Sequence, residues 1–178
     1  MTDERQPVVR PATLSDAGPI AQVHVRSWQE TYRGMMPQEY LDGLDPADRL
    51  PRWQRLLSQP GEPRGDVLVA AAGTGICGFA SFGPTRDEDQ DPDRVAEIRA
   101  IYLAPGALGH GFGRLLMAAS LDRLTGLGYQ RVGLWVLDVN TRARRFYEIA
   151  GFRPDGALKV DDREGLRLAE VRYRRRLP

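Results

Sequence analysis

Hydrophobic and polar positions alternate along this chain with two periods, and the switches between them mark the elements. Residues 7–12 read as a short first strand, with Thr13 or Ser15 placed to cap a helix. Ala21, Val25, Trp28 and Tyr32 then recur at i, i+4, i+7 and i+11, the spacing of one helical face, and Gly34 stops that helix. Pro37 opens a short helix through Tyr40 and Leu41, and Pro46 opens a third through Trp53 and Leu57. The β-rich runs 66–72 and 76–82 flank Gly73-Thr74-Gly75, a hairpin signature. Residues 86–94 are polar and acidic with a proline, and predict a loop. Beyond it the pattern predicts a strand at 96–103, a helix at 110–126, a strand at 131–137 and a helix at 141–150. Two last strands fall near 152–158 and 166–174. The order predicts an α/β fold: a mixed, mostly antiparallel sheet of about seven strands with helices on both faces. No repeat, linker or composition shift divides residues 1–178, so a single domain is expected.

The stretch 96–117, AEIRAIYLAPGALGHGFGRLLM, carries the strongest chemical signal. An apolar strand leads through a turn holding Gly109, Gly111 and Gly113 into the helix of Arg114, Leu115 and Leu116. The first N–H groups of a helix lack partners inside it, and glycines ahead of them let those donors converge on an anion. Helix polarity contributes about 0.3–1 kcal/mol, whereas each charge-assisted N–H···O bond contributes about 1.5–3 kcal/mol. The donors therefore dominate, and a phosphate or pyrophosphate suits them. The spacing excludes two common phosphate sites. A P-loop needs Lys-Ser/Thr after its last glycine, where this chain has Arg114-Leu115. A dinucleotide fingerprint needs G-x-G-x-x-G, whereas these glycines fall at every second position.

Composition adds mainly exclusions. The net charge of +1 gives no reason to invoke nucleic acid. The basic residues are nearly all arginine, Lys159 being the only lysine. Cys77 is the only cysteine, so an intramolecular disulfide and a thiolate metal cluster are excluded. The start, MTDERQPVVR, has no apolar h-region, and no apolar run reaches membrane length. A cytoplasmic protein without a membrane partner is expected. Neither His24 nor His110 has a second histidine at ligand spacing, so no metal is expected. His24 reads as a helix-surface or core polar residue, and Cys77 as packing. The Arg172-to-Arg176 run reads as the solvated end of an edge strand, and exposed strands there suit a homodimer.

Two neighbouring segments give the glycine turn a family likeness. Pro105 and the run Leu108-Gly109-His110-Gly111-Phe112-Gly113 resemble motif A of the GNAT superfamily of acyl-CoA-dependent N-acetyltransferases. Asn140-Thr141-Arg142-Ala143-Arg144-Arg145-Phe146-Tyr147-Glu148-Ile149-Ala150-Gly151-Phe152 resembles motif B of the same family in order and spacing. Leu108 departs from the pattern, which prefers Gln or Arg there. Trp28, Tyr32, Gly34 and Pro37 also match a W-x3-Y-x-G-x2-P pattern of one subgroup.

The resemblance implies an acetyl-CoA-dependent enzyme with no metal, acting on a small-molecule or peptide amine. Residues 108–114 would hold the coenzyme A pyrophosphate, His110 through its backbone and Arg114 beside the loop. Asn140 and Ala143 would face the pantetheine, with Asn140 also capping a helix. The strand would splay at Ile101, Tyr102 and Leu103 and free N–H groups for the thioester oxygen and the pantetheine arm. Trp28 and Tyr32 would border the acceptor. Arg144 and Arg145 are within reach of the phosphates on this reading.

The reaction imposes its own demands. A lysine-like amine titrates near 10.4, so neutralising it at pH 7 costs roughly 4.6 kcal/mol. Glu97, fourteen positions before Gly111, is the candidate base. Tyr147 is the candidate partner of the leaving thiolate. Because tyrosine titrates about 1.5 units above a thiol, it suits hydrogen-bond donation unless its pKa is lowered. Two other readings remain: an acyl-CoA-binding sensor without turnover, and a dinucleotide-type module that the glycine spacing disfavours. The acidic run Asp87-Glu88-Asp89-Gln90-Asp91 could attract a cationic acceptor or simply be solvated.

Overall fold

The computed structural model describes residues 8–59, 65–73, 75–163 and 166–178. Pro7 of the expected first strand and Thr74 of the expected hairpin turn lie outside the described residues. The chain runs β1 (Val8–Pro11), a 3-10 turn (Leu14–Asp16), α1 (Ala17–Thr31), α2 (Gln38–Asp42), α3 (Pro46–Ser58), β2 (Asp66–Ala72) and β3 (Gly75–Pro84). It continues with β4 (Val95–Leu103), α4 (Phe112–Gly126), β5 (Arg131–Leu137), α5 (Thr141–Ile149), β6 (Arg153–Arg163) and β7 (Leu166–Arg176).

Local chemistry sets the helix ends. Ahead of α1, the Thr13 N–H and hydroxyl donate to Asp16 Oδ2 at 2.8 and 3.0 Å. The Arg10 guanidinium forks onto both Asp16 oxygens at 2.7 and 2.9 Å. These bonds, Arg10 first, hold the Asp16 carboxyl down to about 2. Asp45 caps α3, accepting from the Ala47 N–H at 2.8 Å ahead of Pro46. Helix α4 begins two residues later than the sequence predicts, because Gly111 sits at φ 85, outside the helical region.

The seven strands form one sheet in the order β1-β2-β3-β4-β5-β7-β6. Only β4 and β5 are parallel; every other neighbouring pair is antiparallel. Helix α4 makes the crossover that a parallel pair requires. On one face, α4 buries Leu116, Met117, Leu121 and Leu124 against Ala80, Phe82, Ile98, Val132 and Leu134, and α5 adds Ala143, Phe146 and Tyr147. On the other, α1 and α3 bury Ile20, Val23, Trp53 and Leu57 against Val67, Val69 and Phe79. Each such aliphatic side chain contributes about 1.5–3 kcal/mol on burial.

The C-terminal strand departs from expectation. β7 is not an edge: it inserts between β5 and β6, with Leu134 opposite Tyr173 and Val160 opposite Ala169. Tyr173 is fully buried and Arg172 is 6% exposed, so the Arg172-to-Arg176 run is not a solvated margin. β6 is the outer strand instead, with Leu158 and Val160 exposed along it.

Candidate active site

The site begins where the sheet fails to close. β4 and β5 are in register only at Val95–Arg131, Ala96–Val132 and Glu97–Gly133, and then diverge. On the opposite flank of β4 the register steps from Ser81–Ala100 to Phe82–Ile98, so Arg99 is an extra, bulged residue. A cleft of about 1360 Å3 enters the gap and is lined from both faces of the sheet, including Ile101, Tyr102 and Leu103 on the unpaired flank of β4. The splay expected from family likeness is present.

At one end lies the glycine turn. Gly109 and Gly111 have φ of 84° and 85°, conformations that a side chain resists. A Cβ on Gly113 would make only ordinary contacts, with Phe146 at 3.4 Å and Leu103 at 3.5 Å, so Gly109 and Gly111 are the glycines the turn requires. Among the described residues, none of the N–H groups from 109 to 113 meets an acceptor; the first bonds after the turn run from the Arg114 and Leu115 N–H groups to the Gly111 carbonyl. Leu108, Gly109, Gly111, Gly113 and Arg114 line the cleft. His110 is exposed and Phe112 packs toward the core, so each offers the turn its main chain.

Beside the turn stand Asn140, Ala143 and Tyr147, all lining the cleft. Asn140 is buried and its Oδ1 accepts the Ala143 N–H at 3.1 Å, capping α5. The Tyr147 ring packs edge-on to Phe146 and Phe152. Its hydroxyl makes no hydrogen bond among the described residues. Burial, with Tyr102 adding in the same direction, raises its pKa well above the ordinary tyrosine value. Arg144 is held elsewhere: it donates to the Asp138 carboxylate at 2.6 Å and the Tyr173 hydroxyl at 3.1 Å. Arg142, not singled out in the sequence, lines the cleft, and Arg145 does not.

The other end is aromatic. Tyr32 and Tyr102 share a hydroxyl–hydroxyl bond at 3.3 Å, and Trp28 packs edge-on to Tyr32 at 5.1 Å. Of the two sequence readings of His24, the half-buried polar residue is the one found, and it stands in the cleft wall. It stacks on Tyr102 at 5.5 Å, and its Nδ1 accepts from Trp53 Nε1 at 3.3 Å. Here aromatic residues from α1, α3, β3 and β4 converge, which the helical stripe alone did not reveal.

Glu97 lies at the vertex of the splay, 4% exposed and lining the cleft. It does not stand alone. Arg86 donates from Nε to Oε2 at 2.9 Å, from Nη2 to Oε1 at 2.6 Å and from its backbone N–H to Oε2 at 3.3 Å. The pairing also raises the Arg86 pKa. Glu170 on β7, a second buried carboxylate in the cleft, pairs with Lys159 at 3.2 Å. Neither was singled out in the sequence, although Glu170 follows the alternation of its strand.

The acidic loop leaves Glu88, Asp89 and Asp91 exposed, yet two of its carboxylates are tied to Arg172. Arg172 forks onto Asp89 with two bonds of 2.7 Å and reaches Asp87 at 3.1 Å and Asp155 at 2.8 Å. Trp135 Nε1 adds a bond to Asp87 at 2.9 Å. Charges about 80 residues apart in sequence neutralise one another here, which a local charge count cannot register. Among the described residues no group of three His, Cys, Asp or Glu side chains could hold a metal ion, and no helix is long and apolar enough to cross a membrane.

The site is thus a split mixed sheet with a glycine turn on one lip, whose N–H groups meet no acceptor among the described residues, and a buried carboxylate at its vertex. Residues 25–152 match the acetyltransferase (GNAT) family, and the chain belongs to that family. It is 35% identical over 165 residues to the uncharacterized N-acetyltransferase YuaI of Bacillus subtilis, covering 92% of this chain and 89% of that one. Among solved structures, the PaiA N-acetyltransferase of Thermoplasma acidophilum in complex with coenzyme A superposes with a TM-score of 0.71, at 21% identity over 97% of this chain and 99% of that one. An acetyltransferase from Salmonella typhimurium with acetyl-CoA gives 0.71 at 20% identity, over 98% and 95%.

Proposed function

We propose that the chain transfers an acetyl group from acetyl-CoA to a primary amine by direct attack, the acceptor being a small molecule or a peptide end met in the cytoplasm. The observation that carries this reading is the through-sheet cleft, with the N–H groups of 109–113 at one end and buried Glu97 beside an aromatic wall at the other. The residues present fit coenzyme A. The glycine turn and Arg114 suit its pyrophosphate, and the unpaired flank of β4 at Ile101, Tyr102 and Leu103 suits its pantetheine amides. Asn140 and Ala143 border the same arm.

Glu97 serves as the base. Arg86 uses part of its hydrogen-bonding capacity, but a carboxylate offers about four lone-pair sites, so a bridging water or the ammonium itself still has a place. Water relay is favoured, since the Arg86 fork already spans both oxygens. Freed N–H groups of β4 receive the negative charge that develops on the thioester oxygen. Tyr147 donates a hydrogen bond to the departing sulfur. Its raised pKa disfavours outright proton transfer and keeps the hydroxyl protonated throughout the working pH range.

Release of coenzyme A thiol, measured over a panel of amines with purified protein, tests the reading. Amine-dependent release supports it. Tight coenzyme A binding with no release for any amine would replace it with a sensor that binds acyl-CoA without turnover.

A further inference from the structure

The aromatic end of the cleft carries more positive charge than its carboxylates answer. Helix α3 presents Arg49, Arg52 and Arg55 at intervals of three, and the β4 bulge adds Arg99 to the same wall. Among the described residues none of these four is in an ion pair. The carboxylates nearby are engaged: Glu97 by Arg86, Glu170 by Lys159 at 3.2 Å, and Glu30 by Arg33 at 3.4 Å. Arg49 already lies over the Trp28 ring at 5.9 Å. Arg99 is anchored but not satisfied. Its Nη2 donates to the Pro84 carbonyl at 2.9 Å, against Gly83, where a Cβ would sit only 2.8 Å from that nitrogen. Desolvation, then repulsion from Arg86 and Arg52, lowers the Arg99 pKa against an opposing pull from Glu97, while the side chain keeps an exposed flank that an anion can reach. Arg114 and Arg142 sit at the opposite end, where coenzyme A phosphates would meet them.

We infer that the acceptor is an amine that also bears an oxyanion, a carboxylate or a phosphate, which Arg99 and Arg52 receive while the amine faces Glu97. This rests on the acetyltransferase reading and narrows it. A guanidinium offers a planar fork of donors that matches either oxyanion. A polyamine or other purely cationic acceptor would meet four arginines that have no ion pair among the described residues, with Arg49 already over the Trp28 ring.

Protein saturated with coenzyme A is titrated with N-acetyl amino acids, their carboxamides, N-acetyl-O-phosphoethanolamine and N-acetylethanolamine, followed by the intrinsic fluorescence of Trp28, Trp53 and Trp135, all of which line the cleft. The expected result is an anionic member that binds about 10- to 100-fold tighter than its neutral counterpart. Arg99→Gln should abolish that preference, Arg99→Lys should restore part of it, and coenzyme A affinity should hold in both. Preference within the acid–amide pairs indicates a carboxylate, and preference within the other pair a phosphate. Equal binding of charged and neutral members, or a preference that survives in both Arg99→Gln and Arg52→Gln, overturns the inference. Thiol release with the parent amines separates the two levels. Anion-selective binding without release on any amine refutes the acetyltransferase reading and keeps the anion site; release that ignores the anion does the reverse.

Discussion

The two ends of the cleft present different parts of the chain to whatever enters it. The glycine end works through main chain, with five N–H groups between 109 and 113 directed by two left-handed glycines. The aromatic end works through side chains drawn from four elements, among them His24, Trp28, Trp53, Arg99 and Tyr102. Backbone donors are indifferent to most side-chain changes, so Leu108 can depart from the family pattern while the N–H groups of the turn keep their arrangement. Side-chain recognition has no such tolerance. On the proposed reading, a single substitution at 99 or 52 changes what the aromatic end can accept. A donor common to a large family and an acceptor particular to each member would produce that division.

The contrast can be broken at its centre first. Glu97→Gln should lower kcat/KM about 100-fold or more near pH 7, with the deficit shrinking as pH approaches the amine pKa and the acceptor deprotonates unaided. A deficit that is constant with pH would remove Glu97 as the base and turn attention to Glu170. Next comes Tyr147→Phe, for which kcat should fall about 10- to 100-fold while acetyl-CoA affinity changes by about twofold at most. Weakened affinity with unchanged turnover would assign Tyr147 to packing. At the glycine end, Gly111→Ala must hold a methyl group at φ 85, a strain of about 1–2 kcal/mol. Coenzyme A should bind about 5- to 30-fold more weakly by titration, with the acceptor KM unmoved. If both constants shift, the two ends are not independent.

The smallest effect concerns the foundation of the aromatic end. Asp16→Asn loosens the start of α1, which carries Trp28 and Tyr32. It should lower unfolding stability by about 1–2 kcal/mol at neutral pH, without altering coenzyme A affinity. The Asp16 carboxyl is held below its unfolded value, so the stabilisation is present above about pH 4 and fades as pH falls toward about 2. Acid titrations of wild type and variant should therefore converge at the acid end. Parallel curves throughout would mean that Asp16 acts by shape and not by charge.

Elements with local signatures were legible. The stripe of Ala21, Val25, Trp28 and Tyr32, the prolines opening α2 and α3, and the Asn140 cap each depend on neighbours within a turn or two. The glycine turn and Tyr147 were legible for the same reason, with family likeness supplying their roles. What escaped notice depends on partners far along the chain. Arg86 locks Glu97 from the end of a loop, and Arg172 gathers Asp87, Asp89 and Asp155 only because β7 slots between β5 and β6. The arginines of α3 did show a spacing of three. Its meaning depended on which strand bulge lay opposite, and the bulge that presents Arg99 has no local mark.

The insertion of β7 also bears on how the molecule comes together. β5 touches β4 at three register positions and β7 at seven, so its main support is a strand made roughly 30 residues later. On a ribosome the glycine turn and α4 can form while the far wall of the cleft still waits for a partner. Until residues 166–176 have emerged, Trp135 and the acidic loop lack Arg172, and β5 presents an open edge of the kind that invites pairing with another chain. Pairing of distant strands is slow, so the β5–β7 seam closes late, and the wall beyond the β4–β5 gap is complete only once β7 is in place.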